Sequence, residues 1–326
     1  MEPILQISDL IASDPAHARG PFAPGFENGA GFVVDEIRPM AEANVPLTDL
    51  GFMRADAVYD VVTVSRGQFF KLQAHQKRFA RSCERMRLTN PYTMEEEAKI
   101  LNDLVLASGL KDAYVWWCVT RGANPTLAAD RLQADKFQNR FYAFVIPYVW
   151  IKGDTERSAG INIKISEEYI RIPRNSVDPR AKNFCSLDLA MSLFEAGDDG
   201  ADWSVLTDGN GALTEAPGCN IFIVKDGVVS TPDLGCLEGV TRETALELAK
   251  ETGRGVQTRR VLARELEEAD EAFMTSSAGG IMPIARVNGK ALRNAGAGPI
   301  TSELHNLYWT KRWSGWHATP VSAGEP

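Results

Sequence analysis

Apolar positions recur with two periods along this chain, and the switches between them mark out its elements. Steps of three and four put Leu72, His75, Phe79, Cys83 and Met86 on one helix face, and a second helix is expected from Met94 to Ser108. Runs rich in β-branched and aromatic residues predict strands at 31–39, with a turn at Asp35-Glu36, at 113–120 and at 141–146. A hairpin is expected where residues 58–64 return as 68–72 across Ser65-Arg66-Gly67. Beyond residue 150, strands are read at 160–165, around Ser204-Val205-Leu206, at 221–224 and at 271–275. Helices are read at 187–196, from Val240 onward, and at 301–311. The polar stretch 121–131 has a length usual for functional or mobile loops.

This pattern divides the chain into an arm at 1–28, a small α/β domain at 29–149, a larger domain at 150–317 and a disordered tail at 318–326. The fold class expected is mixed α/β in two domains. With 326 residues, 44% of them hydrophobic and 24% charged, the composition is that of a soluble globular protein with room for both. A net charge of −8 without a basic stripe argues against a general nucleic-acid binder. Cys83, Cys118, Cys185, Cys219 and Cys236 form no CxxC pair, which fits reduced thiols in the cytoplasm better than disulfides or zinc. His17, His75, His305 and His317 show no ligand spacing, so no metal is expected. There is no basic-then-apolar leader, and no apolar run approaches the ~20 residues of a membrane span.

The chemistry concentrates between Asp178 and Asn220. Lys182 stands after a proline-bearing irregular stretch and just before a helix; Glu215 lies in Leu213-Thr-Glu-Ala-Pro-Gly-Cys-Asn, ahead of a strand. An amine aimed into a cleft can condense with a carbonyl, and a fixed carboxylate can hold a proton on a pyridine nitrogen. Those are the two groups that pyridoxal phosphate needs from a protein. On spacing alone, a solvated surface group is the commoner reading of each. Two stretches suit an anion: Gly239-Val-Thr-Arg, which opens a helix and offers the Val240 and Thr241 N–H groups, and Thr275-Ser-Ser-Ala-Gly-Gly, with the Ser276 and Ser277 hydroxyls. Arg78 offers a charge-assisted clamp, although a solvated helix face is the commoner reading of such a residue. Neither GxGxxG nor a GxxxxGK followed by Ser or Thr occurs.

Seven pieces in order carry a resemblance. They are Asp49-Leu-Gly-Phe-Met with Val58-Tyr-Asp-Val; Phe69-Phe-Lys-Leu with His75 and Arg78; Val119-Thr-Arg-Gly; Asp178-Pro-Arg-Ala-Lys-Asn; Leu213-Thr-Glu with Gly218-Cys-Asn; Gly239-Val-Thr-Arg; and Ser277-Ala-Gly-Gly-Ile-Met-Pro. Together they resemble the class IV, or fold type IV, aminotransferases, which use pyridoxal 5'-phosphate (PLP), and within that class the (R)-selective amine transaminases. The resemblance spans residues 21–309 and implies a homodimer with PLP between two domains. By motif position it implies that Lys182 bonds the cofactor and that Glu215 pairs with its ring nitrogen. Arg78, Val240, Thr241 and Ser277, with Ser276 beside it, would hold the phosphate. Tyr59 would line the pocket, although a plain core-strand role fits its pattern nearly as well. Arg121 would swing to recruit a substrate carboxylate, with a structural surface arginine as the alternative.

The activity implied is transfer of an amino group from an (R)-configured primary amine to a keto acid such as pyruvate. Departures from the amine transaminases stand at Arg54, in place of His, at Cys185-Ser-Leu, in place of Gln-Trp-Gly, and at Ala216-Pro217, in place of Gly-Ser. Arg54 would add a cation that favours carboxylate-bearing substrates, so D-amino-acid or branched-chain aminotransferase activity is the alternative. The strand Tyr114-Val-Trp-Trp lacks the arginine expected in many branched-chain enzymes, which weighs against that branch. A lyase of the aminodeoxychorismate type and a non-catalytic scaffold complete the set of readings.

Overall fold

The computed structural model describes residues 3–294 and 296–322. Along the first half run α1 (Ile7–Ser13), β1 (Ala30–Val33), β2 (Glu36–Pro39), α2 (Leu50–Arg54), β3 (Ala57–Ser65), β4 (Gln68–Phe70), α3 (Leu72–Arg85), α4 (Met94–Ser108), β5 (Ala113–Thr120) and β6 (Arg140–Pro147). There follow α5 (Asp154–Ala159), β7 (Ile161–Ile170), α6 (Leu187–Asp198), β8 (Trp203–Thr207), β9 (Asn220–Lys225), β10 (Val228–Pro232) and α7 (Val240–Glu251). The chain closes with β11 (Val256–Arg259), α8 (Ala263–Glu267), β12 (Glu271–Ser276), β13 (Gly280–Val287), β14 (Lys290–Ala291), α9 (Pro299–Trp313) and β15 (Ala318–Pro320). No helix among the described residues is long and apolar enough to cross a membrane.

Two compact units emerge, and their sequence limits differ from those expected. The N-terminal unit takes Asp14–Val149 together with Ala181–Cys185 and the chain from Gly315 onward. The C-terminal unit takes the chain up to Ser13 with Trp150–Arg180 and Ser186–Ser314. The segment bearing Lys182 thus clusters with the N-terminal unit, and the arm at 1–28 is shared between the two. The expected disordered tail is also corrected: residues 318–320 form β15, paired antiparallel with β4, while 323–326 lie outside the described residues.

In the N-terminal unit an antiparallel sheet runs in the order β15-β4-β3-β5-β6-β1-β2. Alternate residues of its central strands, Val62, Val115, Trp117, Phe141 and Val145, meet Leu72, Phe79 and Cys83 of α3 and Leu101, Leu104 and Val105 of α4 in one core. The α4 helix forms where its local chemistry dictates. Thr93 Oγ1 accepts the Glu96 N–H while Glu96 Oε2 accepts the Thr93 N–H, and Gly109 ends the helix at φ 65°. Arg66 and Gly67 both take positive φ and close the β3–β4 hairpin. The first hairpin turns at Val34-Asp35, one residue earlier than expected.

The C-terminal unit holds a mixed sheet, β11-β10-β9-β12-β13-β7-β8, with β14 beside β13. Parallel pairs join β10 to β11, β13 to β7 and β7 to β8. Ile161, Ile163, Ile221, Ile223, Met274 and Ile284 share a core with Leu213 and Leu266. Phe222 and Phe273, opposite each other in register, stack at 4.7 Å. The buried Glu271 carboxylate caps α9 from β12, accepting the Ile300 N–H at 3.1 Å and the Thr301 N–H at 2.8 Å.

Candidate active site

In the N-terminal unit the extended segment around Lys182 is laid along the start of β3. The Tyr59 N–H donates to the Lys182 carbonyl at 2.8 Å, Phe184 N–H donates to Ala57 O at 3.3 Å, and Asn183 bridges Val58. The Lys182 N–H donates to Ser82 Oγ at 3.0 Å, and that hydroxyl donates in turn to Arg78 O on α3. The backbone of Lys182 is therefore fixed from a strand and from a helix. Its amine lies 4.3 Å from the centre of the Tyr59 ring and makes no hydrogen bond or ion pair among the described residues.

Beneath it lies a buried charge cluster. Arg78 grips Asp60 through Nε at 2.8 Å and Nη2 at 2.7 Å, and His75 Nδ1 donates to the same carboxylate at 2.8 Å. Burial alone would raise the Asp60 carboxyl; Arg78 and His75 outweigh it and hold the group well below the usual carboxylate range. Burial chiefly, helped by Arg78 and Lys182, pulls the His75 imidazole down. These bonds spend two of the three Arg78 nitrogens and leave Nη1 without a protein partner among the described residues.

One face of the same sheet carries aromatic rings. Trp116 stacks on Phe144 at 5.0 Å and on Tyr59 at 5.7 Å, and Phe184 meets Tyr59 edge-on at 5.6 Å. These rings are half-buried and form a ladder that begins at the lysine. Arg121 does not join it. Its Nε and Nη2 bond both oxygens of Asp56 at 3.1 and 3.0 Å, while Nη1 and Nη2 donate to the carbonyls of Arg87 and Met86. In this geometry Arg121 is a buried anchor that ties Asp56 to the turn after α3. Arg54, at the end of α2, is exposed and makes no ion pair among the described residues.

The C-terminal unit presents the second set. Glu215 is buried, with Oε1 accepting from Arg171 Nε at 2.8 Å and Oε2 accepting from the Leu237 N–H at 3.0 Å. The Leu237 carbonyl accepts from Asn220 Nδ2 at 2.9 Å, so two side chains hold the loop that leads into α7. A Cβ on Gly239 would lie 2.0 Å from Asn220 Oδ1, so only glycine lets that loop pass. At the α7 N-terminus no side chain caps the free N–H groups of Val240 and Thr241, and the buried Thr241 hydroxyl has no partner among the described residues. The buried Thr275 Oγ1, opposite Asn220 in register, is likewise unpartnered. Ser276 Oγ instead accepts the Gly279 N–H at 2.8 Å and shapes the turn that carries Ser277.

These features match a known group. The amino-transferase class IV family model matches residues 57–287. The chain belongs to the class IV aminotransferases. It is 32% identical over 265 residues to a branched-chain-amino-acid aminotransferase of Pseudomonas aeruginosa, covering 80% of this chain and 83% of that one. To the D-alanine aminotransferase of Listeria innocua it is 30% identical over 279 residues, covering 85% and 93%. In structure it is similar to the PLP-form (holo-form) of the branched-chain amino acid aminotransferase from Thermobaculum terrenum. The TM-score there is 0.81 at 26% identity, over 91% of this chain and 100% of that one. Membership agrees with the mixed α/β fold and the aminotransferase chemistry expected from the sequence. The relatives named here are a branched-chain-amino-acid aminotransferase and a D-alanine aminotransferase. Sequence reasoning assigns no role to Arg171, Asp188 or Ser82, nor to Asp60, Asn220 and Trp116, although these last three lie within the stretches quoted above.

Proposed function

We propose that this class IV aminotransferase uses pyridoxal 5'-phosphate to transfer the amino group of an (R)-configured, aryl-bearing primary amine to a keto acid such as pyruvate. The donor set fits that cofactor. Lys182 offers an amine with no hydrogen-bond or ion-pair partner among the described residues, Glu215 a fixed buried carboxylate, and Thr241, Thr275 and the α7 N-terminus offer donors to a phosphate. Arg78 Nη1 supplies the charge-assisted contact. When bound, the cofactor supplies an electron sink for negative charge at the substrate carbon.

The chain's own residues do the rest. Lys182 Nζ would anchor the cofactor and, once freed, would take the proton from the substrate carbon and deliver it to the cofactor carbon. Glu215 would hold a proton on the ring nitrogen through a carboxylate oxygen. The Tyr59 ring covers one side of Nζ and limits the positions that the amine can take.

The observation that carries the amine reading is the ladder Tyr59, Trp116 and Phe144 beside Lys182, with Arg121 tied down at Asp56. A surface of rings welcomes an aryl group, and a carboxylate there would lose water without gaining a cation. The exposed Arg54 supports D-amino acids as the second reading, in keeping with the D-alanine relatives. A homodimer is part of the proposal, on the resemblance to the amine transaminases.

The deciding experiment is an absorption spectrum of the holoenzyme before and after (R)-1-phenylethylamine, its (S)-enantiomer, D-alanine and L-leucine. Bleaching of the cofactor band by the (R)-amine ahead of the others is the expected result. A band that responds to D-alanine or L-leucine alone overturns the amine reading and keeps the family chemistry. Trp116→Arg should shift the preference from the aryl amine toward amino acids by at least about tenfold, roughly 1.4 kcal/mol in kcat/KM.

A further inference from the structure

Glu215 is held by a chain of groups that the family motifs do not name. Arg171, buried just after β7, donates Nε to Glu215 Oε1 at 2.8 Å and Nη1 to Asp188 Oδ2 at 2.7 Å. The same Asp188 oxygen accepts the Ile172 N–H at 2.7 Å, and the Arg171 N–H donates to Thr207 O at 2.9 Å. The guanidinium is thus fixed by its own backbone and by an acid from α6. Burial works against its charge, but Glu215 and Asp188 outweigh burial and raise its hold on the proton.

We propose that Arg171 is a positioning residue that keeps Glu215 ionised and aimed, and that Asp188 orients Arg171 in turn. The inference rests on the reading of Glu215 as partner of the cofactor's ring nitrogen. A carboxyl group buried this deeply tends toward the neutral acid, because burial penalises charge. The neutral acid would offer a proton where the ring nitrogen needs an acceptor. A guanidinium bonded to one oxygen reverses that tendency and leaves the carboxylate an acceptor. The fork of Arg171 bonds Glu215 and Asp188 along two fixed directions, which a lysine's single ammonium does not reproduce.

Asp188, Arg171 and Glu215 together carry one negative charge, so the pairing does not cancel the pull on a proton. The Leu237 N–H on the second oxygen extends the chain to the loop before α7. Other titratable groups stand close by. The Cys236 thiol is pushed up to about 12, by burial first and then by Glu215, and Arg242, Asp233 and Glu238 act on the same thiol. Cys236 therefore stays neutral over the range in which Glu215 is tested.

The test uses full-length Arg171→Met, Arg171→Lys and Asp188→Asn, each stripped of cofactor and titrated with PLP across pH, alongside melting of the cofactor-free proteins. Arg171→Met should weaken PLP binding at neutral pH by at least about tenfold, the equivalent of one pKa unit. Its acid limb of binding should move up by about one to three pH units. Arg171→Lys should recover part of both effects, and Asp188→Asn should move the same limb by less. An unmoved acid limb in Arg171→Met, with only a lower melting temperature, overturns the inference alone. If Arg171→Met does not fold, the same criterion applies to Asp188→Asn. A wild-type chain that takes up no PLP overturns the functional reading and this inference with it.

Discussion

Glu97 shows how a single side chain makes this protein sensitive to pH. It is buried on α4 with Oε1 unpartnered among the described residues, and burial, with a smaller push from Asp60, raises its carboxyl to about 7. The folded state therefore favours the neutral acid, while the unfolded chain ionises near 4.5. Its stabilising contribution is complete below the unfolded value and is lost as pH rises through the folded one, roughly 3 kcal/mol in all. Urea titrations at pH 5 and pH 8 should show Glu97→Gln without this decline, its Asn90 contact intact. A parallel decline in both proteins would show that the group is already compensated. At this scale the sequence points to Lys182 and Glu215 because both flank regular elements. Arg171 is invisible there because it meets Glu215 across 44 residues. The partners of Arg121 are hidden for a similar reason: Asp56 and the carbonyls of Met86 and Arg87 come from other parts of the chain.

Elements whose signals are local are legible in the sequence, and those defined by distant partners are not. The capping box at Thr93 and Glu96 and the glycine at 109 state where α4 begins and ends. The Arg66-Gly67 turn does the same for the β3–β4 hairpin. By contrast, β15 is three residues that become a strand only because β4 offers an edge. The start of α9 depends on Glu271, from another element, since Gly298 offers no side-chain cap. Glu271→Ala would strand the Ile300 and Thr301 N–H groups and should cost roughly 2–4 kcal/mol. Calorimetry reads the loss, and an unchanged melting temperature would show that water replaces the carboxylate without penalty.

Across the whole molecule, sequence neighbours and spatial neighbours part company at both ends. The Leu5 N–H donates to Asn306 Oδ1 at 2.9 Å within the C-terminal unit, and the Val321 N–H donates to Gly67 O at 2.8 Å within the N-terminal one. Deleting 318–326 should therefore destabilise the N-terminal unit, by roughly 1–3 kcal/mol, and expose β4 as an edge. A melting temperature equal to that of the full chain would refute this role for the tail.

The crossed membership of the ends also sets the order in which the protein can be made. A ribosome delivers β1 to β6 first, yet their sheet lacks its outer strand until residues 318–320 emerge. The lysine segment that seals the start of β3 arrives midway, after the chain has already begun the other unit. The sheet of the N-terminal unit is therefore incomplete, with β4 as an open edge, until residues 318–320 have been made. The backbone around Lys182 is likewise fixed against β3 only after residues 181–185 have been made.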